Sequence, residues 1–349
     1  MTTQNNVAAA VAPQEIPAEA VLGQIVMGAF TSQAVYVAAK LGIADLVKDN
    51  PRPVAELAAE TNTNAAALYR VLRALSSIGV FTETAPKTFA LTPLAEPLLS
   101  DRPGTMRDMA IWIGEEPHWR VYGEMLHSVR TGETAWGRVH GEEVFPYLFQ
   151  TDRALGEIFN RAMTSFSATV APAIAAAYDM TGVEKLVDVA GGHGLLLSAF
   201  LKANPALKGV LFDLPEVIEG AGALLEAEGV ADRVETATGD FFASVPAGAD
   251  AYMMKHIIHD WDDARSVAIL ENIRAAMNEN GRVLIVEMVV KEGNEPDFSK
   301  IMDLEMLVSP GGVERTAEEY RELLAKAGFR LTRIIPTASP YSIVEGVKA

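Results

Sequence analysis

Between Val183 and Met288 short apolar runs alternate with helix-like segments: "KLVDVA" (185–190), "GVLFDL" (209–214), "RVETATGD" (233–240), "AYMMK" (251–255) and "RVLIVEM" (282–288). Strand alternating with helix predicts right-handed βαβ units and a parallel sheet buried on both faces, the doubly wound α/β class. Two further extended runs, "RLTRIIP" (330–336) and "YSIVEGV" (341–347), have no helix between them and predict a terminal antiparallel hairpin. An open sheet of this kind takes its ligands outside the carboxyl ends of its strands, so the residues at those ends carry the functional question.

The preceding half has a different texture. From Val21 to Val47 apolar residues recur at helical spacing, broken at Gly42, and predict two helices. Residues 54–60 and 64–77 predict a second pair, with Leu68, Val71, Leu72 and Leu75 on one face. "VFTET" and "TFALT", separated by "APK", predict a β-ribbon after Gly79. Helices followed by a ribbon outline a winged helix, a form associated with DNA binding. The whole chain carries 46 acidic against 29 basic residues, a net charge of −17, which opposes a nucleic acid partner and an anionic membrane surface. The reading preferred here is a helical scaffold for dimerisation. The interrupted apolar stretch 21–47 suits a buried or partner-facing helix better than a bilayer span.

Length and punctuation divide the 349 residues into a flexible arm (1–20), a winged-helix-like dimerisation domain (21–108) and a catalytic domain (109–349), whose segment 109–180 is mostly helical and contributes to a substrate pocket. The arm has no basic residue before Lys40 and no long apolar core, so the expectation is a cytoplasmic protein without a signal peptide. The absence of cysteine excludes disulfides, thiolate nucleophiles, Cys-based zinc sites and iron–sulfur clusters.

At the predicted strand ends stand a glycine loop (Gly191, Gly192, Gly194), Asp213, Asp240, Lys255 and Glu287. The glycines permit close backbone approach to a ligand, but Leu197 occupies the last place of a dinucleotide fingerprint, which counts against a pyrophosphate cradle. Asp213 lies 22 residues after Gly191, the spacing at which an acid grips a ribose diol. Asp240, followed by Phe241 and Phe242, offers an acceptor for an exocyclic amine and an aromatic face for a purine, or else a loop cap beside core aromatics. Together they describe a mononucleoside pocket with an acidic rim and no phosphate machinery. Adenosine with a cationic substituent, S-adenosylmethionine (SAM), fits that description.

The stretch "HIIHDWDD" (256–263) contains two of the six histidines. It reads as a metal site, a catalytic base or a solvated loop; with no third histidine or cysteine at ligand spacing, no metal is expected. Trp261 reads as a packing residue, with a pocket wall as the second reading.

In the order "LVDVAGGHG", "FDLPEVI", "GDFF", "MKHIIHDWDD" and "SPGGVERTAEEY", the chain resembles the SAM-dependent small-molecule O-methyltransferases of the caffeate and hydroxyindole type, including bacterial members of secondary metabolism. The resemblance covers almost the whole chain. It implies a class I methyltransferase domain, an N-terminal domain that intertwines two subunits, and an aromatic small-molecule acceptor. It also implies that Asp188, Gly191 and Gly192 line the methionine part of SAM, that Asp213 and Leu214 hold the ribose, that Asp240 and Phe241 hold the adenine, and that Ser167 and Lys255 contact the cofactor. His259 matches the catalytic base, Glu287 and Glu314 the carboxylates flanking it, and Asp260 a neighbour that helps set the loop. Phe159, Met163, His256 and Met306 match acceptor-pocket positions, to which Trp112 and Trp119 are added for their aromatic character. Two departures stand out: Ala190 replaces the first glycine of the usual triple-glycine loop, and Glu305, before Met306, would either meet a polar or basic acceptor or sit in a loop. Two rivals remain: the same fold with drifted chemistry (N-methylation, hydroxylation or decarboxylation), and a SAM-sensing DNA-binding regulator.

Overall fold

The computed structural model describes residues 16–349; the expected arm falls outside them up to residue 15, and Ala18 already opens the first helix. Helix Ala18–Lys40 ends before Gly42, whose left-handed backbone (φ 65°) turns the chain into the short helix Ile43–Leu46. Helices Val54–Glu60 and Ala65–Ser77 follow, the second capped by Asn64, whose side chain accepts from the Ala67 amide at 3.0 Å. Leu68, Leu72 and Leu75 are buried, as their spacing requires. The ribbon has β2 (Phe81–Ala85) and β3 (Thr88–Leu91), and a third strand that the sequence did not announce, β1 (Arg52–Pro53), pairs antiparallel with β3.

Most of the first helix finds no cover within one chain. Leu22, Ile25, Val26 and Phe30 are each more than 60% exposed. Among the described residues it is the one helix long and apolar enough, by length and composition, to cross a membrane.

A run of helices, Arg107–Gly114, Glu116–Gly123, Met125–Thr131, Ala135–His140 and the long Arg153–Ala177, leads into the second sheet. Its strands are β4 (Lys185–Val189), β5 (Lys208–Asp213), β6 (Val234–Thr238), β7 (Ala251–Lys255), β8 (Arg282–Glu287), β9 (Phe329–Pro336) and β10 (Ser342–Lys348), in the order β6-β5-β4-β7-β8-β10-β9. The first five are parallel; β10 runs antiparallel between β8 and β9. The central strands are apolar throughout because both faces are covered. Leu186, Leu211, Met253 and Leu284 belong to one core layer, and Val187, Val210, Met254 and Ile285 to the other. Strand order reverses at β4, and the carboxyl ends of β4 to β8 open on a single rim.

Candidate active site

A cavity of about 330 Å³ occupies that rim, walled on its far side by helix Arg153–Ala177 and the segment before it. Ser167, Asp188, Gly191, Gly192, Asp213, Leu214, Asp240, Phe241 and Lys255 all line it, as do Phe159, Met163, His256, Asp260 and Trp261. These residues come from four separate strand ends, those of β4, β5, β6 and β7, and from one helix, and the sheet topology brings them together.

At the β4 end the chain turns sharply. A Cβ on Gly191 would sit 2.6 Å from the Asp188 carboxyl and 2.5 Å from Leu211, so only glycine allows this loop to lie on the sheet. Ala190 adopts φ 55°, where a glycine is favoured by roughly 1–2 kcal/mol. The Gly192 amide donates to Asp213 Oδ2 at 2.8 Å and the Leu214 amide to Oδ1 at 2.7 Å, which leaves lone pairs of a buried carboxylate for a ligand. Burial lifts Asp213 to about 6, against those two amides. Asp188 rises to about 7 through burial, opposed by Lys255 and reinforced by Asp213, and its Oδ2 is buried without a partner. Lys255, half-buried at the cavity wall, is pulled down to about 8 by burial although Asp188, Glu287 and Asp260 favour its charge. Asp240 caps its loop, accepting from the Phe242 amide at 2.8 Å, and also lines the cavity. A deep acid pair, a glycine backbone and an aromatic face fit an adenosine carrying a positive centre. Asp213, Asp240 and Phe241 would hold its nucleoside; Asp188, Lys255 and the glycine loop would hold the amino acid end.

The histidine stretch separates into two roles. His256 takes φ 58°, a strained value for this residue type, and lines the cavity; burial, with Lys255 and His259 nearby, holds its pKa well below the ordinary value. Its ring stacks on His259 with centroids 4.6 Å apart. His259 is buried behind it: Nδ1 lies 2.7 Å from Glu314 Oε1 and Nε2 3.5 Å from Asp260 Oδ1. Burial would depress the His259 pKa, but Asp260, Glu314 and Glu287 outweigh it and raise it to about 9. The carboxylates around His259 thus favour the imidazolium, the form the ring takes once it has accepted a proton. Asp260 is lifted to about 7 by burial, with His259 opposing and Glu287, Glu314 and Glu305 adding to the rise.

Glu287 flanks His259 through the loop backbone, and its charge adds to the rise in the His259 pKa. Its Oε1 accepts from the amides of Ile257 (3.2 Å) and His259 (3.1 Å), and its Oε2 from the Tyr320 hydroxyl. It fixes the backbone of the loop, because β8 ends directly beneath it. Glu314 is placed by Asp303, which accepts from its amide at 2.8 Å, and by Gly312, where a Cβ would lie 1.9 Å from the His259 carbonyl oxygen. Val313 donates to that same carbonyl at 2.8 Å.

Three aromatic or thioether expectations land elsewhere. Trp112 packs in a second layer against His118 (4.5 Å), Phe159 (5.1 Å) and Trp136 (6.3 Å), and does not line the cavity. Trp119 and Met306 do not reach it either; Met306 is buried on helix Ser299–Val308. Glu305, on that helix, is committed to His118 Nε2 (3.0 Å) and the Tyr122 hydroxyl, so it neither meets an acceptor nor sits in a loop. Trp261 satisfies both of its readings, packing in the core and forming part of the wall. The sequence reading missed Phe145 and Phe149, stacked at 6.5 Å along the wall, and the pair His193 Nδ1 and Thr164 Oγ1 at 3.0 Å. The four-residue spacing of the phenylalanines and the histidine inside the glycine loop were the available signals.

Comparison with known proteins agrees with this geometry. Residues 122–330 match the O-methyltransferase domain family, and residues 24–101 the O-methyltransferase dimerisation domain, which takes in most of the exposed apolar first helix. That helix thereby belongs to a self-associating domain. The phenazine O-methyltransferase of Lysobacter antibioticus is 48% identical over 98% of both chains. The phenazine-1-carboxylate N-methyltransferase of Pseudomonas aeruginosa is 33% identical over 89% of this chain and 92% of its own. An O-methyltransferase from neocarzinostatin biosynthesis, solved with SAM and 2-hydroxy-5-methyl naphthoic acid, superposes with a TM-score of 0.79 at 35% identity, covering 91% of this chain and 96% of that one. The chain belongs to the O-methyltransferase family and is a SAM-dependent methyltransferase with the class I fold.

Proposed function

We propose that this enzyme methylates a hydroxyl group on a small aromatic secondary metabolite, as a cytoplasmic homodimer, without a metal and without a nucleic acid partner. The observation that carries the proposal is the ionisable cluster His259, Asp260 and Glu314 set against the wall of the cavity, beside the proposed cofactor residues. When bound, SAM supplies an electrophilic methyl group on a sulfonium. A phenol, with a pKa near ~10, is a weak nucleophile until its proton moves, and a positioned base contributes typically ~10²- to 10⁴-fold. The catalytic residues of this proposal are His259, the base that accepts the proton, and Asp260, whose carboxylate lies 3.5 Å from its Nε2. Glu314 orients the His259 ring and favours its charge, and Glu287 holds the loop. Phe159, Met163 and His256, with Phe145 and Phe149, form an apolar slot for a planar ring; Trp112 supports it from behind, against Phe159.

N-methylation is the second reading, favoured by the phenazine-1-carboxylate N-methyltransferase among the relatives. An aromatic nitrogen attacks through its lone pair and needs no base first, so the acid–histidine cluster favours oxygen. A panel of aromatic hydroxyls, amines and nitrogen heterocycles with methyl-labelled SAM tests the proposal. Label in hydroxyl acceptors is expected, with turnover at neutral pH lost in His259→Ala while calorimetric SAM binding persists. Label only in nitrogen acceptors would overturn it.

A further inference from the structure

We propose that Arg315 is a positioning residue for methyl transfer: its guanidinium holds the main chain on both sides of His259 and so sets where that ring stands behind the cavity wall. The inference rests on the reading of His259 as the base. Arg315 is only 1% exposed, yet it does not line the cavity. Its Nη1 donates to the Ile258 carbonyl at 3.0 Å and to that of Val313 at 3.4 Å, and its Nη2 to the Trp261 carbonyl at 2.9 Å. The remaining bonds go to helix Asp263–Ala276: Nε and Nη2 meet Asp263 Oδ1 at 3.3 and 3.1 Å, and Nη2 meets Ser266 Oγ at 3.4 Å. Asp263 is 53% exposed and also pairs with Lys326 Nζ at 2.8 Å, so it has water and a lysine to serve it. What calls for a buried planar fork is the pair of loop carbonyls.

The loop depends on support from outside. Residues 258–260 form a single 3₁₀ turn, entered through His256 at φ 58°, a conformation that persists only where the surroundings impose it. The contacts that impose it come largely from the segment 313–315. The Val313 amide donates to the His259 carbonyl at 2.8 Å, Glu314 Oε1 lies 2.7 Å from Nδ1, and Arg315 takes the carbonyls of Ile258 and Trp261. Adjacent residues thus hold the ring and the main chain of one turn, Glu314 the former and Arg315 the latter. Without the fork the turn can shift under a ring that Glu314 still grips. A displacement of about 1 Å at a reacting group costs on the order of 100-fold in rate.

Hydrogen exchange and kinetics on the whole protein test this. In the wild type, residues 257–261 are expected to exchange about 10-fold or more slowly than the exposed loop 292–296, each corrected for its unstructured rate; equal protection would overturn the inference, and this readout needs no variant. Arg315→Lys keeps a cation beside Asp263, but an ammonium cannot span two carbonyls as a planar fork does. It is expected to speed exchange in 257–261 about 10-fold or more, and with a phenolic acceptor to lower kcat about 10- to 100-fold while acceptor KM and the calorimetric SAM Kd stay within about threefold. Asp263→Asn, which spares the carbonyl bonds, is expected to keep kcat within about threefold. Wild-type kcat and loop exchange in Arg315→Lys would overturn the proposal. So would an equal loss of kcat in Asp263→Asn, since the ion pair and not the carbonyl grip would then be the contact that matters. An acceptor panel with no oxygen acceptor would sink the base reading instead, and the exchange results do not depend on it.

Discussion

Replacing Glu314 by glutamine isolates what its charge does. The carboxylate meets His259 Nδ1 at 2.7 Å with both side chains almost fully enclosed, so the contact is a buried charge-assisted hydrogen bond. Such bonds are worth roughly 1.5–3 kcal/mol and their neutral counterparts roughly 0.5–1.5 kcal/mol, a difference of about 1–1.5 kcal/mol. At about 1.4 kcal/mol per unit, the His259 pKa should fall about one unit from its raised value of about 9, because the amide oxygen still accepts from Nδ1 but no longer favours the cation. Glu314 Oε2 is buried without a partner, so an NH₂ in its place is a buried donor left unpaired, a cost of about 1–3 kcal/mol set against the buried charge that the variant sheds. Titration of the ¹⁵N-labelled imidazole measures the shift. An unmoved or raised His259 pKa would refute the assignment of Glu314 as its charge partner.

Gly312→Ala places a methyl 1.9 Å from the His259 carbonyl oxygen and must push Glu314 away from the ring; kcat should drop about 10-fold or more with the SAM Kd little changed, since no proposed cofactor residue moves. Asp213→Asn puts an amide NH₂ against the Gly192 or Leu214 N–H and removes the proposed ribose acceptor, so calorimetry should show SAM binding weakened about 10- to 100-fold; an unchanged Kd would be decisive against the ribose role. The cofactor-free protein should lose thermal stability as pH rises. Asp213 (about 6), Asp188 and Asp260 (both about 7) and His259 (about 9) all hold protons in the fold that the unfolded chain has already released. Their contribution is complete below their unfolded values and is lost as pH climbs through the folded ones. Lys255, lowered to about 8, acts in the opposite sense only above that value, so the midpoint should decline from about pH 5 to about pH 8. A midpoint rising over that range would contradict the burial assigned to these groups.

The parts legible in the sequence were those fixed by local pattern. The five parallel strands, the turn at Gly42 and the terminal pair β9 and β10 each have a periodicity or a punctuating residue of their own. Asp213 was legible because the glycine-to-acid spacing measures one βαβ unit. What escaped depends on contacts between distant segments. Nothing local places β10 between β8 and β9, and β1 is two residues long with a proline in it. That Glu287 grips two amides of the histidine loop is set by where β8 ends beneath it, which no local pattern announces. Trp112 and Phe159 are both aromatic residues on helices, and only packing decides that Phe159 faces the cavity while Trp112 lies behind it. The raised His259 pKa is likewise collective, since Asp260, Glu314 and Glu287 come from three separate segments.

One molecule can decide between oxygen and nitrogen. An aromatic acceptor carrying both a phenolic hydroxyl and a ring nitrogen, turned over with ¹³C-methyl SAM and examined by NMR, reports which atom received the methyl group. The acid–histidine cluster predicts the label on the phenolic oxygen, and a label on the ring nitrogen with the hydroxyl left free would contradict the account.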